Sequence, residues 1–524
     1  MGRFLLIGID GAEPSLVQQW IEAGHLPNLA ALRDRGGLVP MASTMPPATF
    51  PAWTSCVTGV NPGRHGVFDF TEMIPGQYAV RFVNATYRRV PALWNILSDA
   101  GKRVAVLGVP ATYPPEPVNG CMLSGFDSPV ATRVDPSFVY PPKLYPDVRD
   151  WRFADLQETD VKPGWHARAL PKLLDKIRVK TGIAAKLMAR EPWDFFMIVF
   201  SEADTVGHHF WLFHDPESPR RHQSGPADAL RQVYQALDQA IGVLVDTMGD
   251  ASVAVVSDHG FGGAGTGVLH LNNWLAEKGY LRFAGGGGSL LKSVALKATP
   301  QRMRGALFRR FTGLVNKAES RSRFGGIDWA ETRAWSEELN YFPSIRVNLE
   351  GREPKGQVKA AEYDAFCQEI CACLETWEPI RKAWRREELY TGEYVDRAPD
   401  IVLELELEHG YSYSCLRSRG GPSFRRLRPE EYLGAKGRGM NGTHRRAATL
   451  LLSEPTSCET ARLEDIAPTV LGQMGVAGPP MDGHSLLREG ATSTATEKPP
   501  SPKPYDKTEE RAIEERLRSL GYFE

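Results

Sequence analysis

Four places in this chain set an Asp or a His against a short apolar run that reads as a buried strand, and they are where chemistry could be done. Asp10 follows Phe4–Ile9 and precedes Gly11, a residue that permits a tight turn. Asp204 and His208 follow Phe195–Phe200 and are four residues apart, so on a helix they project from one face and can grip one cation. Asp258 and His259 follow Ser252–Val256; adjacent side chains cannot converge from a regular strand, so they must lie where the strand breaks, and Gly260 suits the break. His444, in Asn441-Gly442-Thr443-His444-Arg445, stands just before Ala447–Leu452. Singly, these are a turn, a helix-surface pair and a loop histidine; the signal is their recurrence. Three carboxylates and three imidazoles suffice for two divalent ions, and an O/N donor set without thiolate favours Zn²⁺, with Mn²⁺ next. Two metals roughly 3.5–4 Å apart are a standard clamp for a phosphoryl group under in-line attack.

Such a clamp needs a nucleophile. The stretch Met45-Pro46-Pro47-Ala48-Thr49-Phe50-Pro51 leads into Ala52-Trp53-Thr54-Ser55-Cys56, and Pro51 marks a helix start with Thr49 near the N-cap. There the free N–H groups and the positive dipole end favour an anionic phosphoryl group beside an attacking alkoxide. Thr54 and Ser55 compete for the role but lie deeper in the helix.

The set Ile9-Asp10-Gly11, Thr49-Phe50-Pro51, Thr58-Gly59 with His65-Gly66, Asp204-x-x-x-His208, Ser257-Asp258-His259-Gly260 and Gly442-Thr443-His444 resembles the alkaline phosphatase superfamily. More narrowly it is similar to the type I phosphodiesterase/nucleotide pyrophosphatase branch. The resemblance implies one metal on Asp204, His208 and His444, a second on Asp10, Asp258 and His259 with the Thr49 oxygen beside it, and a covalent phosphothreonine. It also implies hydrolysis of phosphodiester or pyrophosphate bonds, nucleotides among them. One position departs from that branch: Phe70 stands where an asparagine would help hold a phosphoryl oxygen, which weakens the case for diesters and nucleotides in particular. Cys56 lacks the following proline and arginine that sulfatases of the superfamily use, so a sulfatase is disfavoured.

Positioning these residues requires particular elements. Phe4–Ile9, Val104–Val109, Phe195–Phe200 and Ser252–Val256 are nearly continuous apolar runs, as in strands buried on both faces of a parallel sheet. Between them lie helical patterns, Pro27–Arg35 and Ala229–Met248, the latter with Leu230, Val233, Leu237, Ile241, Leu244 and Val245 on one stripe. Alternating strands and helices predict a doubly wound, mostly parallel α/β sheet flanked by helices, with ligands beyond the carboxyl ends of the strands. The motif order places an α+β cap inside this core. Residues 1–270 and 431–490 are read as the metal-binding catalytic core and 271–430 as the cap. Residues 491–524 are read as a Pro/Ser/Thr-rich linker and a C-terminal helix that could dock on the core or on a second subunit.

Composition narrows the classes further. The chain has 524 residues, 42% of them hydrophobic, and a formal net charge of −1 from 62 basic and 63 acidic residues. No basic excess marks it as a binder of nucleic-acid polymers. No apolar window is long enough for a membrane span, and the first apolar run leads into Asp10 rather than to a cleavage site, so the cytoplasm is the expected compartment. Seven cysteines, an odd and small number, argue against a disulfide framework, and Cys367, Cys371 and Cys373 read as small packing residues. A basic stretch from Lys292 to Arg323 with Glu319 as its only acid could touch a membrane surface or an anionic substrate. The leading expectation is a two-metal hydrolase acting on small-molecule phosphate esters. Its rivals are a phosphomonoesterase or phosphonate hydrolase, a phosphoryl or head-group transferase on the same core, and a non-catalytic metal protein that docks on lipid.

Overall fold

The computed structural model describes residues 2–487 apart from 126–133, 154–160, 162–163, 223, 285–322, 339–341, 416, 419, 432–439 and 457. Nearly all of the basic stretch and the whole of the C-terminal linker and helix lie outside the described residues. No helix among the described residues is long and apolar enough to cross a membrane.

The core is a nine-stranded sheet. In chain order its strands are β1 (Phe4–Ile9), β2 (Gly37–Ala42), β3 (Val104–Leu107), β4 (Gly120–Leu123), β5 (Val139–Tyr140), β6 (Phe195–Phe200), β7 (Ser252–Val256), β8 (Ala447–Leu452) and β9 (Ala461–Arg462). Their order across the sheet is β9-β2-β8-β7-β1-β6-β3-β4-β5. All but β5 and β8 run in one direction. The continuous apolar strands are buried on both faces because successive side chains enter opposite cores. Leu5, Ile7 and Ile9 join one core with Phe196, Ile198 and Phe200, while Phe4 and Leu6 join the other with Phe195, Met197 and Val199.

Four helices pack against this sheet or carry site residues: α1 (Thr49–Thr58), α2 (Trp165–Met188), α3 (Glu202–His214) and α4 (Ala229–Met248). The stripe Leu230, Val233, Leu237, Ile241 and Leu244 seats α4 on the first core beside α2, and α1 packs Ala52, Trp53, Cys56 and Val57 into the second. The fold is thus the doubly wound, mostly parallel α/β sheet with helices on both faces. A third hydrophobic core gathers residues mostly between Leu269 and Leu405, with Ala48 and Val80 joining it. Its four-stranded antiparallel sheet has the order Ala334–Trp335, Ser344–Val347, Ile401–Leu405, Ile380–Arg385, and the helix Tyr363–Glu375 packs Phe366, Cys367, Ile370 and Leu374 against it. Cys367 is buried, Cys371 and Cys373 are half-buried, and all three are free thiols.

Candidate active site

Each of the four sequence motifs lies at one end of the sheet, and the fold brings them together. Asp10 leaves β1 with its N–H on the Phe200 carbonyl (2.8 Å), so β1 and β6 end side by side. Gly11 turns the chain at φ 73°, and its N–H donates to Asp258 Oδ1 (3.1 Å). A side chain there would meet the Phe261 ring at 2.5 Å, which is why the turn requires glycine. Asp204 and His208 sit in the first two turns of α3, and their i, i+4 spacing puts them on one face as the sequence predicts. His444 is on a short strand, Gly442–Arg445, that pairs antiparallel with Gly260–Gly263, so it lies beside the turn carrying Asp258 and His259. Gly442 lies so close to α3 that a Cβ there would stand 2.2 Å from the Gly207 carbonyl.

Six side chains therefore converge. His208 Nε2 lies 3.2 Å and His444 Nε2 3.4 Å from Asp204 Oδ1, and the two imidazole nitrogens are 3.1 Å apart. His259 Nε2 lies 3.4 Å from Asp10 Oδ1, 3.4 Å from Asp258 Oδ2 and 4.0 Å from Asp204 Oδ1. Donor atoms of Asp10, Asp258 and His259 form one group close enough to share an ion, and those of Asp204, His259 and His444 another. His259 thus stands between the two groups rather than in one of them.

Hydrogen bonding fixes what these atoms present to each other. The Nδ1–H of His208 donates to the Gly442 carbonyl (3.0 Å), that of His259 to Gly260 (3.1 Å) and that of His444 to Pro47 (2.8 Å). A carbonyl at Nδ1 places a proton there, so in the neutral ring each Nε2 turns a lone pair inward. Asp10 Oδ1, Asp204 Oδ1, Asp258 Oδ2 and His259 Nε2 are buried and without a hydrogen bond. Acceptors facing acceptors at 3–4 Å are repulsive unless cations lie between them, so the donor set fits divalent ions. The ionisation energetics express the same frustration. Burial raises Asp10, and burial together with the Asp10 charge raises Asp258 well above the carboxylate range. Asp204 is held well below it, because His208 and His444 outweigh burial. Burial works against a charged His259, yet Asp258 and Asp10 push it up to about 9, while burial and the His259 charge push His444 down to about 3.

Thr49 is buried and is the first residue of α1, one place inside the N-cap, which is Ala48. The loop before it is tied to the cluster through the Pro47 carbonyl on His444. The two competing hydroxyls have other partners. Thr54 Oγ1 donates to the Phe50 carbonyl (2.7 Å). Ser55 Oγ is 3.0 Å from His65 Nε2, but His65 Nδ1 accepts from the Val67 N–H, so its Nε2 carries the proton and donates. Burial holds the His65 imidazole neutral, with a pKa near 3. An Nε2 that donates to Ser55 cannot take its proton.

Three further groups support this site, and of these only Phe261 stands beside a motif in the sequence, where it could be read as a stacking or a packing residue. Phe261 is a buried wedge whose ring lies 4.8, 5.5 and 5.2 Å from the rings of His208, His259 and His444; it fills space among the imidazoles instead of offering a stacking surface. Trp53 and Trp211 are likewise buried, and the half-buried Phe70 ring lies tilted against that of Phe50, 4.3 Å between centroids. Behind the cluster, Lys180 of α2 lies 2.8 Å and Lys176 3.6 Å from Glu202, which begins α3 two residues before Asp204. The i, i+4 lysine pair was visible as letters, but nothing in the sequence says that it is buried. From the cap, Phe342 sets its ring 5.7 Å from that of His444, a contact between segments about a hundred residues apart.

Comparison with known proteins gives the family and the fold. Residues 4–415 match the family described as type I phosphodiesterase / nucleotide pyrophosphatase. The fold is similar to that of phosphonoacetate hydrolase from Sinorhizobium meliloti 1021 in complex with phosphonoacetate, at 17% identity and a TM-score of 0.51, covering 91% of this chain and 96% of that one. Human ectonucleotide pyrophosphatase / phosphodiesterase 5 aligns at 12% identity and a TM-score of 0.49, covering 92% and 97%. The chain has the alkaline phosphatase-like core and belongs to the type I phosphodiesterase / nucleotide pyrophosphatase family of phosphoester hydrolases.

Proposed function

We propose that this protein hydrolyses phosphodiester or pyrophosphate bonds of small molecules, using two divalent ions and Thr49 as nucleophile. The observation that carries the reading is the set of inward-facing acceptors, four of them buried without a hydrogen bond, at the carboxyl ends of the strands. Asp204, His208 and His444 would hold one ion and Asp10, Asp258 and His259 the other, with Zn²⁺ the best match and Mn²⁺ next. When bound, the ions supply charge neutralisation of the phosphoryl oxygens and favour the ionised threonine.

Thr49 begins α1, so its hydroxyl stands at the positive end of a ten-residue helix, where a dianionic phosphoryl group is favoured. Its Oγ1 attacks phosphorus, the hydroxyl proton is lost, and the P–O bond to the leaving group breaks opposite the new one. Water then cleaves the phosphothreonine, releasing the phosphomonoester and restoring the hydroxyl, so configuration at phosphorus is retained over two steps. The carbonyls on the three Nδ1–H groups hold the imidazoles in one tautomer and orientation throughout. Residues 271–430, read as a cap, would supply the walls that select the substrate.

The test is turnover of bis(4-nitrophenyl) phosphate with added Zn²⁺ or Mn²⁺, alongside the metal content of the protein. Thr49→Ala is expected to lower kcat at least about a thousandfold while retaining two metals per chain. Full activity in that variant would remove Thr49 from the mechanism, and fewer than one metal in the wild type would remove the ions.

A further inference from the structure

Next to the six-residue cluster, between the core and the cap, lies a nearly closed cavity. Pro46 and Phe68–Asp69 form its core side, and Glu337, Arg346 and Tyr390 its cap side. It adjoins the cluster directly. Pro46 precedes the residue whose carbonyl binds His444, Tyr390 OH donates to the Met45 carbonyl (2.8 Å), and Phe342, also in the wall, packs against the His444 ring. A substituent on a phosphorus held at the cluster would be directed into it.

Among the charges in the wall, Asp69 and Arg397 have no oppositely charged partner among the described residues. Arg346 spends its Nε on Glu337 and its two other nitrogens on the carbonyls of Ala398 (3.1 Å) and Arg397 (3.2 Å). Glu72 accepts from Arg81 Nε (2.8 Å), and the Arg397 guanidinium lies 4.7 Å over the Tyr394 ring. Asp69 accepts only the N–H of the next residue, Phe70 (2.6 Å), and is the lining acid without a cationic partner among the described residues. Burial pushes its carboxyl up to about 7, more than that N–H, Arg323 and Arg346 pull it down against the added push of Glu337. A cation in the cavity would relieve that cost.

Size decides which cation. The cavity has ≈ 20 Å³ of room for a water-sized group. About 10–15 Å³ admits one water, so one –NH₃⁺ fits and a trimethylammonium head does not. The aromatic faces of Phe68 and Tyr390 suit the cation as well. Building on the hydrolase reading, we propose that this cavity selects phosphodiesters in which one esterified alcohol carries a primary ammonium group, and that Asp69 is the residue that recognises it.

The experiment compares kcat/KM for three 4-nitrophenyl phosphodiesters whose second alcohol is aminoethyl, trimethylammonioethyl or propyl. The wild type is expected to prefer aminoethyl over each of the other two by at least about tenfold. Asp69→Asn, which keeps shape and the acceptor for Phe70, is expected to bring the aminoethyl-to-propyl ratio near one, and Asp69→Glu to restore part of it. Equal ratios in the wild type, or an unchanged ratio in Asp69→Asn, would overturn the ammonium assignment and leave the hydrolase reading standing. No release of nitrophenol from any of the three would instead overturn the hydrolase reading. Glycerophosphoethanolamine in solution and phosphatidylethanolamine in vesicles then separate a free metabolite from a lipid head group, and cleavage of neither overturns the assignment.

Discussion

Two groups of carboxylates are buried to the same depth in this molecule and behave in opposite ways. Beside the four-stranded antiparallel sheet, Asp400 is fully buried and fully satisfied: Arg352 donates twice (2.8 and 2.7 Å), Tyr363 OH once (2.7 Å) and the Val347 N–H once (2.7 Å), with Arg386 at 3.2 Å. Burial opposes its charge, but the guanidiniums win and hold its pKa down to about 2. In the core, Asp10 and Asp258 are equally buried, but each leaves an oxygen unbonded and faces a carboxylate, and both pKa values go up. Desolvation is common to both groups, so it is the supply of protein donors that separates them. Asp400 is completed by protein donors; the unbonded oxygens of the core cluster meet none among the described residues. A buried charge whose partners are all protein groups is architecture, and one whose partners are other acceptors marks a binding site.

The comparison breaks most visibly at Asp400. Asp400→Asn leaves Arg352 and Arg386 without their common counter-charge, and removing one partner of a buried ion pair costs about 3–5 kcal/mol. Urea denaturation should register a loss of that order, and a change below about 1 kcal/mol would show that Asp400 is not the anchor of the cap. A smaller effect appears on the acid side. An Asp held at about 2 in the folded state and near 4 when unfolded contributes about 2 kcal/mol, present above the unfolded value and lost as pH falls from about 4 toward 2. Denaturation of wild type and Asp400→Asn at pH 3, 4, 5 and 7 should therefore show the gap between them narrowing at the acid end. A gap independent of pH would mean that the stabilisation is not electrostatic.

The two groups also differ in how they could be read from sequence. The core cluster is legible because each member adjoins an uninterrupted apolar run, and such runs can only be central strands; Phe4–Ile9, Phe195–Phe200 and Ser252–Val256 all carry their ligand candidates at the same end for that reason. Asp204 and His208 are legible because four residues is nearly one helical turn. Asp400 is not legible: Arg352, Tyr363 and Arg386 meet it from separate elements, and no periodicity relates them. The edge strands β5 and β9 and their neighbours β4 and β2 escape notice because they are short or half-exposed and carry no long apolar run. Phe342 against His444 and the burial of Lys176 and Lys180 escape it because they are tertiary facts. Sequence patterns report what one element does to itself, and the cavity lined by Asp69, Arg346 and Tyr390 is built where elements far apart in the chain meet.

The smallest effect is the most discriminating, because its sign is opposite to that at Asp400. Asp258→Asn keeps Oδ1 as acceptor for the Gly11 N–H and replaces the unbonded Oδ2 with an N–H₂ beside the Asp10 carboxylate, turning a repulsive carboxylate–carboxylate contact into a donor–acceptor one. The metal-free variant should therefore be more stable than the metal-free wild type by about 1 kcal/mol, the usual scale when a functional site is relieved of its strain. Added Zn²⁺ should raise the denaturation midpoint of the wild type and move that of the variant much less, since ligand binding stabilises only a folded state that can bind. A metal-free variant as destabilised as Asp400→Asn would place Asp258 among the architectural charges. It would also remove the physical ground for reading the core cluster as a site awaiting cations.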